Sequence, residues 1–396
     1  MSLPIDLTSP PHYSLDPAGG EERLEFSPRT RASTRATDTI VHKDGNTTVV
    51  FTEQAPYAST PVYGASGSVA GAILLDKPSM VQEVSVKLLG RLDYCTARGG
   101  GSSIPTASNE DFLWSQTSSG SRLCPSSIAF DIAFPESYDF RGKTQPLPPS
   151  FEYSDKGGAL SVSSVYTLLV TVTCVRRKLS LLPRTQCFRI PLIYHPRTRP
   201  SRPIVPGSLF YGVKSSPEEW VQILAPITLK PTRASIEIPV ILDVFIPSVR
   251  VFAISDLIPL HVQISGRLTS LQKLFTSTPS ASLSVSLIRH VALEASDGHP
   301  SGKNINIGSG TLVPVPPRPA RLASEDDEVL DWEGSVQCTP GQDVQVGGFT
   351  ASQLTVRDFI VVTVAPHVDS AFAVTQKYIP IRLVTDPWTY TPEINI

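Results

Sequence analysis

The sequence predicts an all-β protein made of two immunoglobulin-like antiparallel β-sandwich domains in tandem. Its 37 prolines and 25 glycines are spread through 396 residues, which leaves little room for long helices. Short runs in which apolar and polar residues alternate are separated by turn-forming residues, as antiparallel strands require. The chain also exceeds the length that one hydrophobic core usually supports, so two domains are expected.

The composition is that of a folded globular protein. Hydrophobic residues make up 40% of the chain and charged residues 18%. With 34 basic and 36 acidic side chains, the net charge of -2 gives no steering towards nucleic acid, and no nucleic-acid partner is expected. The five cysteines are odd in number and widely spaced, which favours free thiols in a reducing, cytoplasmic compartment: Cys95, Cys124, Cys174, Cys187 and Cys338.

Residues 1–45 are predicted to be a disordered tail, because Pro, Ser, Thr and Arg occur there without a sustained apolar period. Met1–Leu15 lacks the basic patch and apolar core of a secretory signal, so none is expected. The first domain is assigned to residues 46–204. Its predicted strands are Thr47–Phe51, Gly67–Leu75, Val81–Leu89, Ile128–Phe134, Val162–Val175 and Phe188–Ile193. The Gly- and Ser-rich stretch Ala97–Arg122 is expected to be an exposed loop.

Gly157–Val175 is the one segment that resembles a membrane span. It lacks charge and is followed by three basic residues, as in a positive-inside anchor. Serine and threonine dilute its hydrophobicity, however, and its residues follow the period of two that is typical of a strand. We therefore predict a strand.

The second domain is assigned to residues 205–396, after an extended, proline-rich connector over Tyr194–Pro206. A short helix is expected around Pro217–Ile223 and a solvated hairpin loop at Pro314–Glu328. The predicted strands of this half are Ser235–Ile246, Val249–Phe252, Pro259–Ser265, Ser282–Leu293, Ser335–Cys338, Phe359–Ala365 and Lys377–Val384.

Several stretches over about residues 47–388 resemble the fungal arrestin-like (alpha-arrestin) family. They are Val62–Leu75, Val84–Gly90, Leu147–Phe151 and Val165–Leu168 in the first half, and Phe245–Pro247, Phe252–His261, Val262–Gly266, Trp332–Gly334, Val346–Phe349, Leu354–Ile360 and Ile381–Trp388 in the second. These patterns are mostly structural, so they support the arrestin fold more strongly than a function. The resemblance implies an adaptor in endocytosis and protein trafficking, associated peripherally with the plasma membrane or endosomes.

The sharpest short motif is Pro10-Pro11-His12-Tyr13, which lies in the predicted tail. Two prolines pre-organise a polyproline II turn that packs into an aromatic groove, and Tyr13 enters a neighbouring pocket, as in ligands of WW domains. In the resembled family such motifs recruit HECT-type ubiquitin ligases. The alternative is a chance tetrapeptide in a proline-rich chain.

Two basic groups are candidate binding sites for phosphate: Arg176, Arg177 and Lys178, and Arg197, Arg199 and Arg202 in the connector. Guanidinium groups bind phosphate through two parallel hydrogen bonds. The resemblance implies that such a face reads phosphorylated tails of membrane transporters or receptors, or an anionic lipid surface. The commoner alternative is that these charges only keep loops solvated.

The sequence contains no motif for an enzyme, so no catalytic residue, cofactor or metal site is predicted. The signatures of zinc proteases, serine hydrolases and P-loop nucleotide-binding proteins are missing, as is any Cys or His pair at metal-ligand spacing. An alternative from another class is a structural sorting subunit like the two-sandwich component of retromer, which acts without a ligase. A β-sandwich hydrolase or carbohydrate-binding protein would need clustered carboxylates or an aromatic platform, and the four tryptophans are scattered.

Overall fold

The structure is a computed structural model and contains almost only β-strands. It describes residues 17, 19–24, 38–54, 58–97, 100–117, 123–174, 184–204, 213–230, 240–275, 282–294, 301–315, 327–340, 344–367 and 369–389. The predicted all-β class is confirmed.

The first half of the chain forms two facing sheets. Its strands are β1 (Glu21–Leu24), β2 (Asp38–Asp44), β3 (Thr47–Gln54), β4 (Val62–Tyr63), β5 (Ser68–Leu75), β6 (Val81–Thr96), β7 (Gly100–Ser115), β8 (Ser127–Ala133), β9 (Ser137–Phe140), β10 (Lys143–Pro146), β11 (Phe151–Ser154), β12 (Leu160–Cys174), β13 (Arg184–Tyr194) and β14 (Arg197–Pro200). One sheet has the order β2-β3-β5-β8 and the other β4-β13-β12-β6-β7, with β11 beside β12. Strands β1 and β14 pair separately with each other, as do β9 and β10.

The core of this first sandwich lies between the two sheets. Phe51 and Ile73 of the four-stranded sheet share one hydrophobic cluster with Leu88, Leu168 and Val170 of the facing sheet. In β12 every second residue from Leu160 to Val172 is buried, which is the period of two of a strand with one face on a core. This confirms the strand predicted within Gly157–Val175. None of the described helices is long and apolar enough to cross a membrane.

The second half of the chain forms a larger sheet that curls over its own core. Its elements are β15 (Trp220–Ile227), β16 (Val240–Pro247), β17 (Val251–Ala253), β18 (Ile258–Arg267), α1 (Leu268–Phe275), β19 (Ser282–Leu293), β20 (Ser301–Val315), β21 (Asp327–Cys338), β22 (Phe349–Ala351), β23 (Leu354–Ala365) and β24 (Thr375–Val384). The strand order is β15-β16-β18-β21-β20-β19-β23-β24-β17, with β22 beside β23.

This second core is shared by the two ends of the curled sheet. Leu242 of β16 and Val262 of β18 belong to the same buried cluster as Leu287 of β19, Val362 of β23 and Ile381 of β24. Helix α1 contributes Leu271 and Leu274 to that cluster. One continuous sheet thus forms both faces of the second sandwich.

The expected loop over Ala97–Arg122 is wrong, because Gly100–Ser115 forms the 16-residue strand β7. Its partner β6 is equally long and pairs with it from Glu83 to Thr96. This pairing supplies hydrogen-bond partners for the backbone N–H and C=O groups of β7, although few of its side chains are apolar. Pro105 is tolerated because it lies beside a register shift, where the strand ladder is interrupted.

The expected tail and helix also need correction. Residues 21–24 and 38–44 of the predicted tail are strands, because β1 pairs with β14 and β2 pairs with β3. Where the helix Pro217–Ile223 was expected, the chain forms a 3₁₀ turn, Pro217–Glu219, followed directly by the strand β15. The Pro314–Glu328 prediction is confirmed only as a hairpin, since β20 and β21 are antiparallel neighbours and residues 316–326 lie outside the described ranges.

Candidate functional site

The two sandwiches meet at a junction built from the near ends of their long strands. Leu92, Leu160 and Val162 of the first domain pack in one buried cluster with Leu354 and Val356 of the second. The burial of this cluster stabilises one arrangement of the two domains. We call this region the interdomain junction.

The tip of the β22–β23 hairpin contacts the first domain through polar groups. The Tyr94 hydroxyl donates to Gln353 Oε1 at 2.5 Å, and Tyr138 Oη lies 2.8 Å from Ser352 Oγ. The Ser352 backbone N–H donates to Gln145 Oε1 at 2.5 Å. Ser352 has a φ of 55°, the left-handed conformation that a two-residue hairpin turn requires, and this turn exposes its backbone to the other domain.

A second set of contacts ties the strand pair β1–β14 to the end of β24. The Thr198 N–H donates to Thr385 Oγ1 at 2.9 Å, and the same oxygen lies 3.0 Å from the Thr198 carbonyl oxygen. The Asp386 N–H donates to the same carbonyl at 2.9 Å. The connector is therefore held against the second domain at Thr198.

The three connector arginines predicted as a phosphate site each have a carboxylate partner. Arg197 pairs with Asp386, and Arg199 Nε lies 2.8 Å from Glu22 Oε2. Arg202 Nη1 lies 3.0 Å from Glu219 Oε2. A phosphate group binding here would compete with these carboxylates, so the geometry is that of a structural ion-pair row.

Burial and charge act in opposite directions on the titratable groups of the junction. Burial raises the pKa of the Asp386 carboxyl, but hydrogen bonds from Arg197 and Thr385 outweigh it and leave that pKa below its usual value. Burial lowers the pKa of the His195 imidazole, against the opposing effects of the Gln345 backbone and Asp386. Asp386 is therefore held as the anion and His195 as the neutral ring.

A cavity of about 130 Å³ opens at the junction. Its lining comes from the N-terminal segment and from both domains, and includes Pro17, Arg23, Pro148, Tyr194, Gly347 and Arg382. A Cβ atom on Gly347 would lie 1.9 Å from the Leu383 carbonyl oxygen, so only glycine lets this wall approach β24 so closely. Burial raises the pKa of the Tyr194 hydroxyl to about 12, which keeps it protonated.

The other predicted site residues lie outside the described ranges. Pro10, Pro11 and Tyr13 precede Pro17, and Arg176, Arg177 and Lys178 directly follow β12. The structure thus brings the connector arginines to the interdomain junction but does not place the other two sets. Among the described residues, no group of three or more His, Cys, Asp or Glu side chains could hold a metal ion.

Sequence reasoning missed most of the residues that form the junction. Tyr94 and Gln353 are 259 positions apart, and no local pattern links them. The available signal was weak: the polar pair Ser352-Gln353 separates the strand-forming stretches Phe349–Ala351 and Leu354–Ala365, but it lacks the glycine that marks a two-residue hairpin turn.

The fold and the junction together define a two-domain β-sandwich protein whose N-terminal strand is anchored between its domains. No protein-family model matches the chain, and no curated protein matches it.

Proposed function

We propose that the protein is an arrestin-like adaptor that recruits a WW-domain HECT-type ubiquitin ligase to membrane cargo. The observation that carries the proposal is the position of the motif Pro10-Pro11-His12-Tyr13, a few residues before a strand anchored at the interdomain junction. A two-domain β-sandwich body supports such a role, since it offers several surfaces and holds them in a fixed arrangement.

Chain connectivity limits how far a ligase bound at the motif can be from the folded body. Four Cα steps separate Tyr13 from Pro17, which lines the junction cavity, so their Cα atoms are at most about 14 Å apart. A ligase domain bound to the motif would stay close to whatever the adaptor holds. This short tether raises the local concentration of the ligase at the cargo.

For the cargo side, we propose that Arg176, Arg177 and Lys178 bind phosphorylated tails of transporters or receptors, or an anionic membrane surface. They remain the stronger candidates because Arg197, Arg199 and Arg202 are engaged with carboxylates. The adaptor would act in the cytoplasm, peripherally on the plasma membrane or endosomes.

The ligase proposal is tested by titrating the full chain with an isolated WW domain. Tyr13→Ala and Pro11→Ala should weaken binding at least tenfold, because each removes a group that fills a pocket of the WW groove. His12→Ala is the matched control, since the variable position of the motif enters no pocket, and should stay within about twofold. Binding that Tyr13→Ala leaves intact, or no binding by the parent chain, would refute the proposal.

A truncation that starts at Pro17 separates this role from a stable sorting subunit. It removes the motif but keeps β1, whereas a cut at residue 45 would also remove β1 and β2 and disturb the junction. Proximity labelling in cells should find a ligase and membrane transporters with the full chain and lose the ligase with the truncation. A stoichiometric complex that survives the truncation would instead support the retromer-like alternative.

A further inference from the structure

A pocket opens between the two sheets of the first sandwich, at the end far from the interdomain junction. Strands β6 and β12 reach the junction at Leu92 and Leu160, and this pocket at Val81 and Cys174. Its volume is about 150 Å³. We call it the distal pocket.

The distal pocket has an apolar wall beside a polar one. Leu75, Met80, Val81, Val172 and Cys174 form the apolar wall, of which Val172 is 1% exposed, and Asn46, Thr47 and Gln186 add polar groups to the lining. An engineered cavity of about 150 Å³ holds a benzene molecule, so the volume of the distal pocket is enough for a hydrocarbon group of about six carbons against its apolar wall. Filling it removes apolar surface from water and is favourable.

The mouth of the distal pocket is positively charged. Lys77 and Arg184 line it and are exposed, and among the described lining residues none carries a carboxylate. Asp76, next to Lys77, lies 3.9 Å from Lys43, so this neighbouring carboxylate has a cation of its own. Two cations at the rim of an apolar pocket complement a molecule with an anionic head and a hydrocarbon tail.

We propose that the distal pocket binds a single-chain anionic amphiphile. The hydrocarbon tail lies between the sheets against Val81 and Val172, and the anionic head lies at Lys77 and Arg184. This site is separate from the ligase motif and from the interdomain junction, so it does not depend on the adaptor role proposed above.

Cys174 provides a direct reporter of occupancy. Its thiol lines the pocket and is half-buried, and burial raises its pKa against the opposing charge of Arg184. Cys95 is exposed at the other end of the first sandwich and is the internal control. The experiment measures the alkylation rate of both thiols in the full chain by peptide mass spectrometry, with octanoate as the probe.

Octanoate should slow alkylation of Cys174 at least fivefold at saturation and leave Cys95 unchanged. Octanol should need at least a tenfold higher concentration than octanoate for half-maximal protection of Cys174, and octyltrimethylammonium should not protect it. Both lack the anionic head that Lys77 and Arg184 attract. No protection by octanoate, or equal protection by all three, would overturn the proposal.

Reversing the charges at the mouth of the distal pocket tests their role, because it changes two exposed residues and no buried one. Lys77→Glu combined with Arg184→Glu should weaken protection by octanoate about tenfold or more, since two attractive charges become repulsive. Lys143→Glu combined with Lys156→Glu is the matched control, because both lysines are exposed and neither lines the pocket. Equal affinity in the two double variants would contradict the assignment.

The chain itself supplies one competing occupant, because residues 175–183 connect two lining strands and contain three leucines. The variant Leu179→Ser, Leu181→Ser, Leu182→Ser leaves the described residues unchanged. Suppose that Cys174 is alkylated faster in this variant than in the parent chain, and that octanoate protects Cys174 in the variant but not in the parent. Residues 175–183 then occupy the pocket in the parent chain, and the proposal fails. Unchanged protection by octanoate in parent and variant supports it.

Discussion

Arg382 Nε lies 2.6 Å from Glu21 Oε2, and this ion pair joins the strand β24 of the second domain to the strand β1. The Glu21 side chain is 2% exposed and that of Arg382 13%, so the pair is shielded from water. Glu22, the next residue, points the other way and pairs with Arg199 of the connector. Strand β1 is thus held on both of its faces.

Glu21→Gln should therefore loosen β1. The substitution removes the shielded counter-charge of Arg382 and should lower the free energy of unfolding by about 2 kcal/mol, the cost of leaving a largely buried polar group without its partner. Hydrogen exchange of the amides of residues 21–24 should accelerate. Glu22→Gln is the control, because its side chain is 43% exposed and a surface pair contributes less than about 1 kcal/mol. Equal effects of the two variants would refute this assignment.

The buried pair Arg289–Asp358 should be the more sensitive ionic contact. Nε and Nη2 of Arg289 donate to both carboxylate oxygens at 2.7 and 3.1 Å, and Nη2 also donates to the Val346 carbonyl. Asp358→Ala leaves a buried guanidinium without its counter-charge and should cost about 3 to 5 kcal/mol in urea denaturation.

The double variant Arg289→Met, Asp358→Leu separates two quantities. One is the stability lost when a single charge of this pair is removed, and the other is the stability lost when both are removed. The double variant removes both charges together and should be markedly more stable than Asp358→Ala, since no lone buried charge remains. A double variant as unstable as the single one would show that the pair stabilises the fold by itself. Glu110→Gln, in the surface pair with Lys87, should change stability by less than about 1 kcal/mol.

His195 should make stability depend on pH below neutrality. Burial holds its folded-state pKa below the unfolded value of about 6.5, so the folded chain binds fewer protons. Its contribution is present above about pH 6.5 and is lost as the pH falls through that value towards the folded-state pKa. Asp386, whose pKa is also lowered, loses its contribution only below about pH 4.

Urea denaturation of the parent chain and of His195→Gln between pH 7.5 and 5 checks this dependence. The parent should lose stability as the pH falls, and the loss should be smaller in the variant because glutamine does not titrate. Identical slopes in the two proteins would show that other groups account for the pH dependence.

The sequence predicted those parts of the fold whose burial alternates along one strand. In Leu160–Cys174 the inward face is almost entirely apolar, and the period of two is visible without a partner strand. In Gly100–Ser115 it is not, because glycine, serine and acidic residues dominate and the long neighbour β6 determines the structure. Residue propensities therefore predicted a loop for Gly100–Ser115. The segment forms a strand because its stability depends on pairing with a neighbouring strand.

The candidate site was less predictable than the fold for a related reason. Glu21 and Arg382 are far apart in the sequence, and Glu21 lies in a segment whose composition predicts disorder. A four-residue strand has too few residues for a recognisable period, so only the contact with Pro200 and its neighbours in β14 reveals it. Ion pairs of this kind depend on domain packing, which a single sequence does not encode locally.

Phe349 should be the main apolar anchor of the interdomain junction. It is 8% exposed, and its ring meets Phe151 of the first domain edge to face at 5.3 Å between centroids. Phe349→Ala should cost about 3 kcal/mol and increase the maximum dimension in small-angle scattering, because it removes a buried ring between the domains. Phe112→Ala, at a ring that is 64% exposed, should stay within about 0.5 kcal/mol and keep the parent's dimensions. If Phe349→Ala scatters like the parent and loses no stability, the polar contacts of Tyr94 and Tyr138 must hold the domains together instead.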